Sequence, residues 1–122
     1  FELGRSLVAQ CGSLIARVLY IKPAERTSFM ILDAGMTELI RPALYRSFHF
    51  IENLSSQEGS VVYDVVGPIC ETSDAFARGL SLPETKRGDL LAIRSVGAYG
   101  EVMASQYNLR EVAPSIFSDD FM

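Results

Sequence analysis

Short runs of β-branched and aromatic residues, set apart by polar turns, recur along most of this chain. Arg17-Val18-Leu19-Tyr20-Ile21-Lys22 stops at Pro23, and Ser28-Phe29-Met30-Ile31-Leu32-Asp33 resumes the pattern after a polar loop. The two runs are predicted to pair as an antiparallel hairpin. Residues 48–54 form a further candidate strand, residues 55–60 a polar turn cluster, and Val61-Val62-Tyr63-Asp64-Val65-Val66 the strongest strand signal of all. Residues 90–96 and 113–117 complete the predicted strands. Helical periodicity is confined to the start, where Leu7, Val8, Cys11, Leu14 and Ile15 fall on one side of a 3.6-residue period behind Ser6, a residue suited to capping. That spacing predicts a helix of about two to three turns. Pro42 and Gly35 are expected to break residues 34–45 into helical turns and loop. Residues 72–89 read as connector with a helical turn near 74–77, and residues 102–107 as a short helix. Short strands joined by turns with brief helical insertions predict a mainly β domain, a barrel or a sandwich.

The chain has 122 residues, enough for one domain with its own core. Hydrophobic residues make up 48% and charged residues 21%, which excludes a disordered segment on composition. No apolar run approaches the roughly 20 residues needed to cross a bilayer as a helix. Net charge is -4 with both signs interspersed, so the basic footprint expected for nucleic acid is missing. Cys11 and Cys70 are far apart, and the lone His49 cannot complete a zinc site with them, so no metal is expected. Free thiols suit a reducing, cytoplasmic setting. The first residues, beginning at Phe1, read as a strand end turning into a helix whose folding partner lies upstream.

Four runs carry chemistry. In Gly67-Pro68-Ile69-Cys70-Glu71-Thr72 a thiol stands beside a carboxylate, a pairing suited to proton transfer and to holding an ammonium group. The bland alternative is a small buried hydrophobe at a strand end followed by a solvated acid. In Glu2-Leu3-Gly4-Arg5 a carboxylate precedes a glycine that lets backbone approach an anion and a guanidinium that binds phosphate or carboxylate. The plain alternative is a solvent-facing Glu and Arg around a turn glycine. Arg41 and Tyr45 in Arg41-Pro42-Ala43-Leu44-Tyr45 are spaced so that one helical turn directs both toward one ligand. Tyr99, between Gly97 and Gly100, is set where backbone and hydroxyl can meet a phosphate, or is simply a loop tyrosine.

In this order and approximate spacing, the four runs resemble the C-terminal part of the diaminopimelate decarboxylase family, pyridoxal-phosphate enzymes of fold type III. The resemblance extends from Glu2 to about Asn108. It implies a C-terminal β domain over residues 16–122 following a (β/α)8 barrel, with residues 1–15 left from the barrel's last strand and helix. It implies that Glu2 faces the cofactor's pyridine nitrogen, that Gly4, Arg5 and Tyr99 lie at the cofactor and its phosphate, and that Arg5 and Tyr99 also reach the substrate. Arg41, Tyr45 and Glu71 match residues that hold the substrate's distal end, and Cys70 matches the thiol that protonates the α-carbon. The Cys-Glu pair reaches into the partner subunit's active site in this family, so the resemblance implies a homodimer. The family's Glu-Pro-Gly-Arg has Leu3 in place of its proline, which only loosens a turn. Lys22 and Lys86 are the two lysines, and neither matches the Schiff-base motif, which in the family lies on the barrel. The fragment alone is therefore expected to be inactive. Sister decarboxylases acting on arginine, ornithine or carboxynorspermidine are the alternative within the fold type, and a non-catalytic β interaction module the alternative outside it.

Overall fold

The computed structural model describes residues 1 and 3–122. Six strands form one continuous sheet: β1 (Ser13–Lys22), β2 (Ser28–Leu32), β3 (Ile51–Asn53), β4 (Val61–Val66), β5 (Ala75–Leu82) and β6 (Leu90–Arg94). Their spatial order is β3-β6-β1-β2-β4-β5. The long β1 joins two halves, its first part pairing antiparallel with β6 (Ser13 opposite Arg94) and its second part with β2 (Lys22 opposite Phe29). The hairpin expected from β1 and β2 is present. A register shift between Val18 and Tyr20 marks a β-bulge between the halves, and there the alternation of inward and outward residues changes phase.

Residues from both edge strands, Ile51 of β3 and Phe76 and Leu82 of β5, share one cluster with Val18, Met30, Leu32, Tyr63, Val65, Leu91 and Ile93. A flat sheet cannot put both edges in one core, so the sheet curls into a nearly closed barrel. The mainly β architecture read from the sequence is what is found. Ile93 is fully buried and pairs with Leu14 on one side and Ile51 on the other. Ile93→Ala is expected to lower the unfolding free energy by about 2–5 kcal/mol, measured by urea unfolding, because a tightly enclosed site collapses poorly around the lost atoms.

Several local expectations are corrected. The initial helix α1 covers only Gly4–Val8 and passes through a tight turn at residues 9–11 into β1, which takes Leu14 and Ile15 into the sheet. Pairing with β6 outweighs the weak helical period there, and Ser6 Oγ donates to Leu3 O instead of capping a helix N-terminus. Pro42 does not break structure but sits in the first turn of the second helix, α2 (Arg41–Tyr45), where the missing N–H costs nothing. The connector predicted over residues 72–89 contains β5, which pairs with β4; Gly79, with φ of +62°, lies beside a shift in that pairing and disguised the strand. Of residues 48–54 only β3 is strand. The helix expected at residues 102–107 is two separate 3₁₀ turns. Residues 113–117 form no strand: they run exposed with no ladder partner, so their apolar character has nothing to pair with. Among the described residues no helix is long and apolar enough to cross a membrane.

Candidate active site

Helix α2 is short but well defined. It ends where Arg46 turns left-handed (φ +54°) and its N–H bonds back to Pro42 O at 3.0 Å. One helical turn places Arg41 and Tyr45 on the same side, as their spacing predicts. The Arg41 guanidinium carbon lies 5.2 Å from the Tyr45 ring centroid and 5.5 Å from that of Tyr99, which arrives from the loop after β6. Both distances suit cation–π attraction, and Arg41 is only 8% exposed. Two aromatic faces thus hold a largely desolvated cation whose charge no described carboxylate offsets.

Arg5, Arg41, Tyr45, Tyr99 and Met103 line an open cavity of about 530 Å³. Four of the residues singled out in the sequence are therefore brought together. Met103 was not, because a methionine in a short turn carries no signal of its own. Two guanidiniums and two phenols form a donor set with no acid among the described residues that line it. It fits an anion, and a phosphate or carboxylate group of pyridoxal phosphate or of an amino acid matches that chemistry. Gly4 lies beside Arg5 at the start of α1, with open space where a side chain would be. Glu2 lies outside the described residues.

Cys70 and Glu71 do not line this cavity. They occupy the apex of the loop between β4 and β5, and both are exposed, so the reading of Cys70 as a buried strand-end residue is wrong. The loop is cinched at its base: Gly67 N donates to Asp74 O at 3.0 Å, Asp74 N to Glu71 O at 3.1 Å, and Ile69 N to Asp74 Oδ2 at 2.7 Å. Tyr107 Oη donates to Glu71 Oε1 at 2.6 Å, which holds the phenol protonated to higher pH than usual and leaves the other carboxylate oxygen for a different donor.

Asp74 itself is 5% exposed. Burial is the main cause that raises its pKa, only partly opposed by the N–H groups of Ile69 and Met36; nearby Glu38 raises it further and Arg110 lowers it. A raised folded-state value means that this group's stabilising contribution is complete below its ordinary pKa of 3.8 and is lost as pH climbs through the folded value. Among the described residues no three His, Cys, Asp or Glu side chains converge as metal ligands.

Residues 7–97 match the family described as "Pyridoxal-dependent decarboxylase, C-terminal sheet domain". The chain belongs to this family. Over all of its length it is 58% identical to the diaminopimelate decarboxylase of Bacteroides thetaiotaomicron, of which it covers 32%. A solved diaminopimelate decarboxylase of Helicobacter pylori complexed with L-lysine superposes with a TM-score of 0.79 at 50% identity, over 85% of this chain and 26% of that one. The corresponding M. jannaschii structure, also with L-lysine, gives a TM-score of 0.85 at 44% identity, over 88% of this chain and 25% of that one. The chain thus spans about a third or less of the length of these relatives. Their folds agree with the curled six-stranded sheet.

Proposed function

We propose that this chain is the C-terminal sheet domain of a diaminopimelate decarboxylase, which converts meso-2,6-diaminopimelate to L-lysine and carbon dioxide. The observation that carries the reading is the buried guanidinium of Arg41, stacked between Tyr45 and Tyr99 and facing a cavity also lined by Arg5. A substrate with a carboxylate at its far end supplies an anion to this cation, which no described carboxylate offsets. One with a purely cationic end, such as ornithine or arginine, would desolvate like charges together. Identity of 58% with a decarboxylase of that name supports the same substrate.

Gly4, Arg5 and Tyr99 would hold pyridoxal phosphate on its phosphate side, and Glu2 is assigned to its pyridine nitrogen on the family resemblance alone. When bound, the cofactor supplies an electron sink for the pair left at the α-carbon as carbon dioxide departs. Arg41 and Tyr45 fix the distal carboxylate, Arg5 and Tyr99 orient the reacting end, and Glu71 accepts the distal ammonium. Cys70 Sγ gives its proton to the α-carbon and regains one from solvent. On the family resemblance Cys70 and Glu71 serve the site of a second copy, in a homodimer, and their place on an exposed loop apart from the Arg41 cavity is compatible with that. Apolar side chains left exposed, among them Tyr45 at the cavity and Phe48, Phe50 and Val102, suit burial against the barrel and the partner. The barrel also brings the Schiff-base lysine, so this domain alone is inactive. The location is cytoplasmic.

Carbon dioxide release by the complete protein, loaded with pyridoxal phosphate, tests the reading. Meso-diaminopimelate is expected to be turned over at least about 10³-fold more efficiently than ornithine, arginine or carboxynorspermidine, the range a site reaches when the wrong ligand leaves a buried charged group unpaired. Faster release from any of the other three would overturn it. Failure to bind pyridoxal phosphate at all would favour a non-catalytic sheet module.

A further inference from the structure

Among the described residues, Asp74 is the one through which the two functional segments touch by hydrogen bonds. Its Oδ1 accepts from Met36 N at 2.7 Å, on the segment that leads into Arg41, and its Oδ2 accepts from Ile69 N at 2.7 Å, on the loop that carries Cys70 and Glu71. Both loops make room for the carboxylate. A Cβ on Gly67 would stand 2.3 Å from Asp74 Oδ2, and one on Gly35 would stand 2.9 Å from each carboxylate oxygen. Gly35 N is in turn bonded to Glu38 Oε2 at 2.7 Å, and Glu38 Oε1 lies 3.6 Å from Arg110 Nε. Arg110 also donates to Asp33 O, and Ser105 N to Thr37 O at 2.9 Å, so the C-terminal segment straps the same region from outside.

We propose that Asp74 is a positioning residue, which fixes the Cys70–Glu71 loop against the segment bearing Arg41 and so sets where the proton donor offered to the second copy stands relative to this chain's own substrate-holding arginine. The assignment rests on the decarboxylase reading for its consequence in catalysis, while the pinning of the two loops is a property of this chain. A carboxylate is needed because it accepts on both oxygens. An asparagine has one acceptor, and its amide would meet either the Met36 or the Ile69 N–H donor to donor. A purely structural need for a buried polar group would not demand that both bonds reach functional segments, nor that two glycines clear the space. In the proposed dimer, Arg41 works in one site and Cys70 in the other, so Asp74 ties the geometry of the two sites together.

The test compares Asp74→Asn with Thr85→Val in the complete protein. Thr85 is as buried, but its side chain bonds only to Asn53 and Pro83, away from both loops. D74N is expected to speed amide hydrogen exchange across residues 67–73 and at Met36 by about tenfold or more, the signature of a local opening, and T85V to leave these amides unchanged. On meso-diaminopimelate, D74N should lower kcat by about 10- to 100-fold with KM nearly unchanged, as a small misplacement of a reacting group does, while T85V keeps kcat. Should D74N not fold, Gly35→Ala, which crowds the same carboxylate, is expected to give the same pattern in milder form. Unchanged exchange at both loops in the folded variant would overturn the proposal, as would an equal loss of kcat in T85V. A wild type that releases no carbon dioxide from meso-diaminopimelate would instead refute the decarboxylase reading, and the exchange measurement would still decide the role of Asp74.

Discussion

Replacing Cys70 by alanine in the complete protein is expected to lower kcat by about 10²- to 10⁴-fold, the range a positioned proton donor contributes. KM for meso-diaminopimelate should stay within about threefold of the wild type, because in the proposed mechanism the thiol acts on the α-carbon only in the transition state and contributes little to holding the ground state. The geometry makes this a clean experiment. Cys70 is an exposed free thiol at a loop apex, the bonds that shape that loop come from Gly67, Ile69 and Asp74, and none uses the Cys70 side chain. The substitution thus removes the sulfur without loosening the loop. Steady-state kinetics check it. An unchanged kcat removes Cys70 from the mechanism, and a raised KM with normal kcat would make it a binding group.

Arg41→Ala is expected to act in the opposite way, raising KM for meso-diaminopimelate by about 10- to 100-fold while kcat changes little, since the proposed charge-assisted bond to a distal carboxylate would be present throughout the reaction. Lysine should not restore it. An ammonium lacks both the planar face that stacks between Tyr45 and Tyr99 and the fork that grips a carboxylate. Loss of the stacked cation also costs stability of the order of 1 kcal/mol, visible as a lower unfolding midpoint of the domain. Normal KM in R41A would place the distal carboxylate elsewhere and reopen the choice among substrates.

These two residues also show where the sequence is legible. Arg41 and Tyr45 could be placed together because helical spacing is a local property, and the strands with strong β-branched runs, β1, β2, β4 and β6, were legible for the same reason. Tyr99 joins the pair from the other end of the domain, and only the similarity of whole motifs to a known family hinted at it. β5 was missed because a left-handed glycine and a serine interrupt its pattern, while its strand state comes from pairing with β4. Leu14 and Ile15 misled in the opposite sense: local periodicity predicted helix, and a ladder with β6 decided for strand. Asp74 offered no sequence signal beyond being an acid near Cys70. Its importance lies in two N–H groups on segments far apart in the chain, which no spacing rule reveals.

The closure of the sheet has a consequence for how the domain is made. The N-terminal half of β1 finds its partner only in β6, Ser13 opposite Arg94, and Tyr99 and the strap at Ser105 and Arg110 follow later still. Pairings this distant along the chain have a high contact order and fold slowly. While a ribosome is synthesising residues 33–90, β1 presents an unpaired edge, and the Arg41 pocket has no second aromatic wall. The site is therefore assembled only after β6 and the segment that follows it have emerged, and the nascent chain is most exposed to misassociation just before β6 emerges.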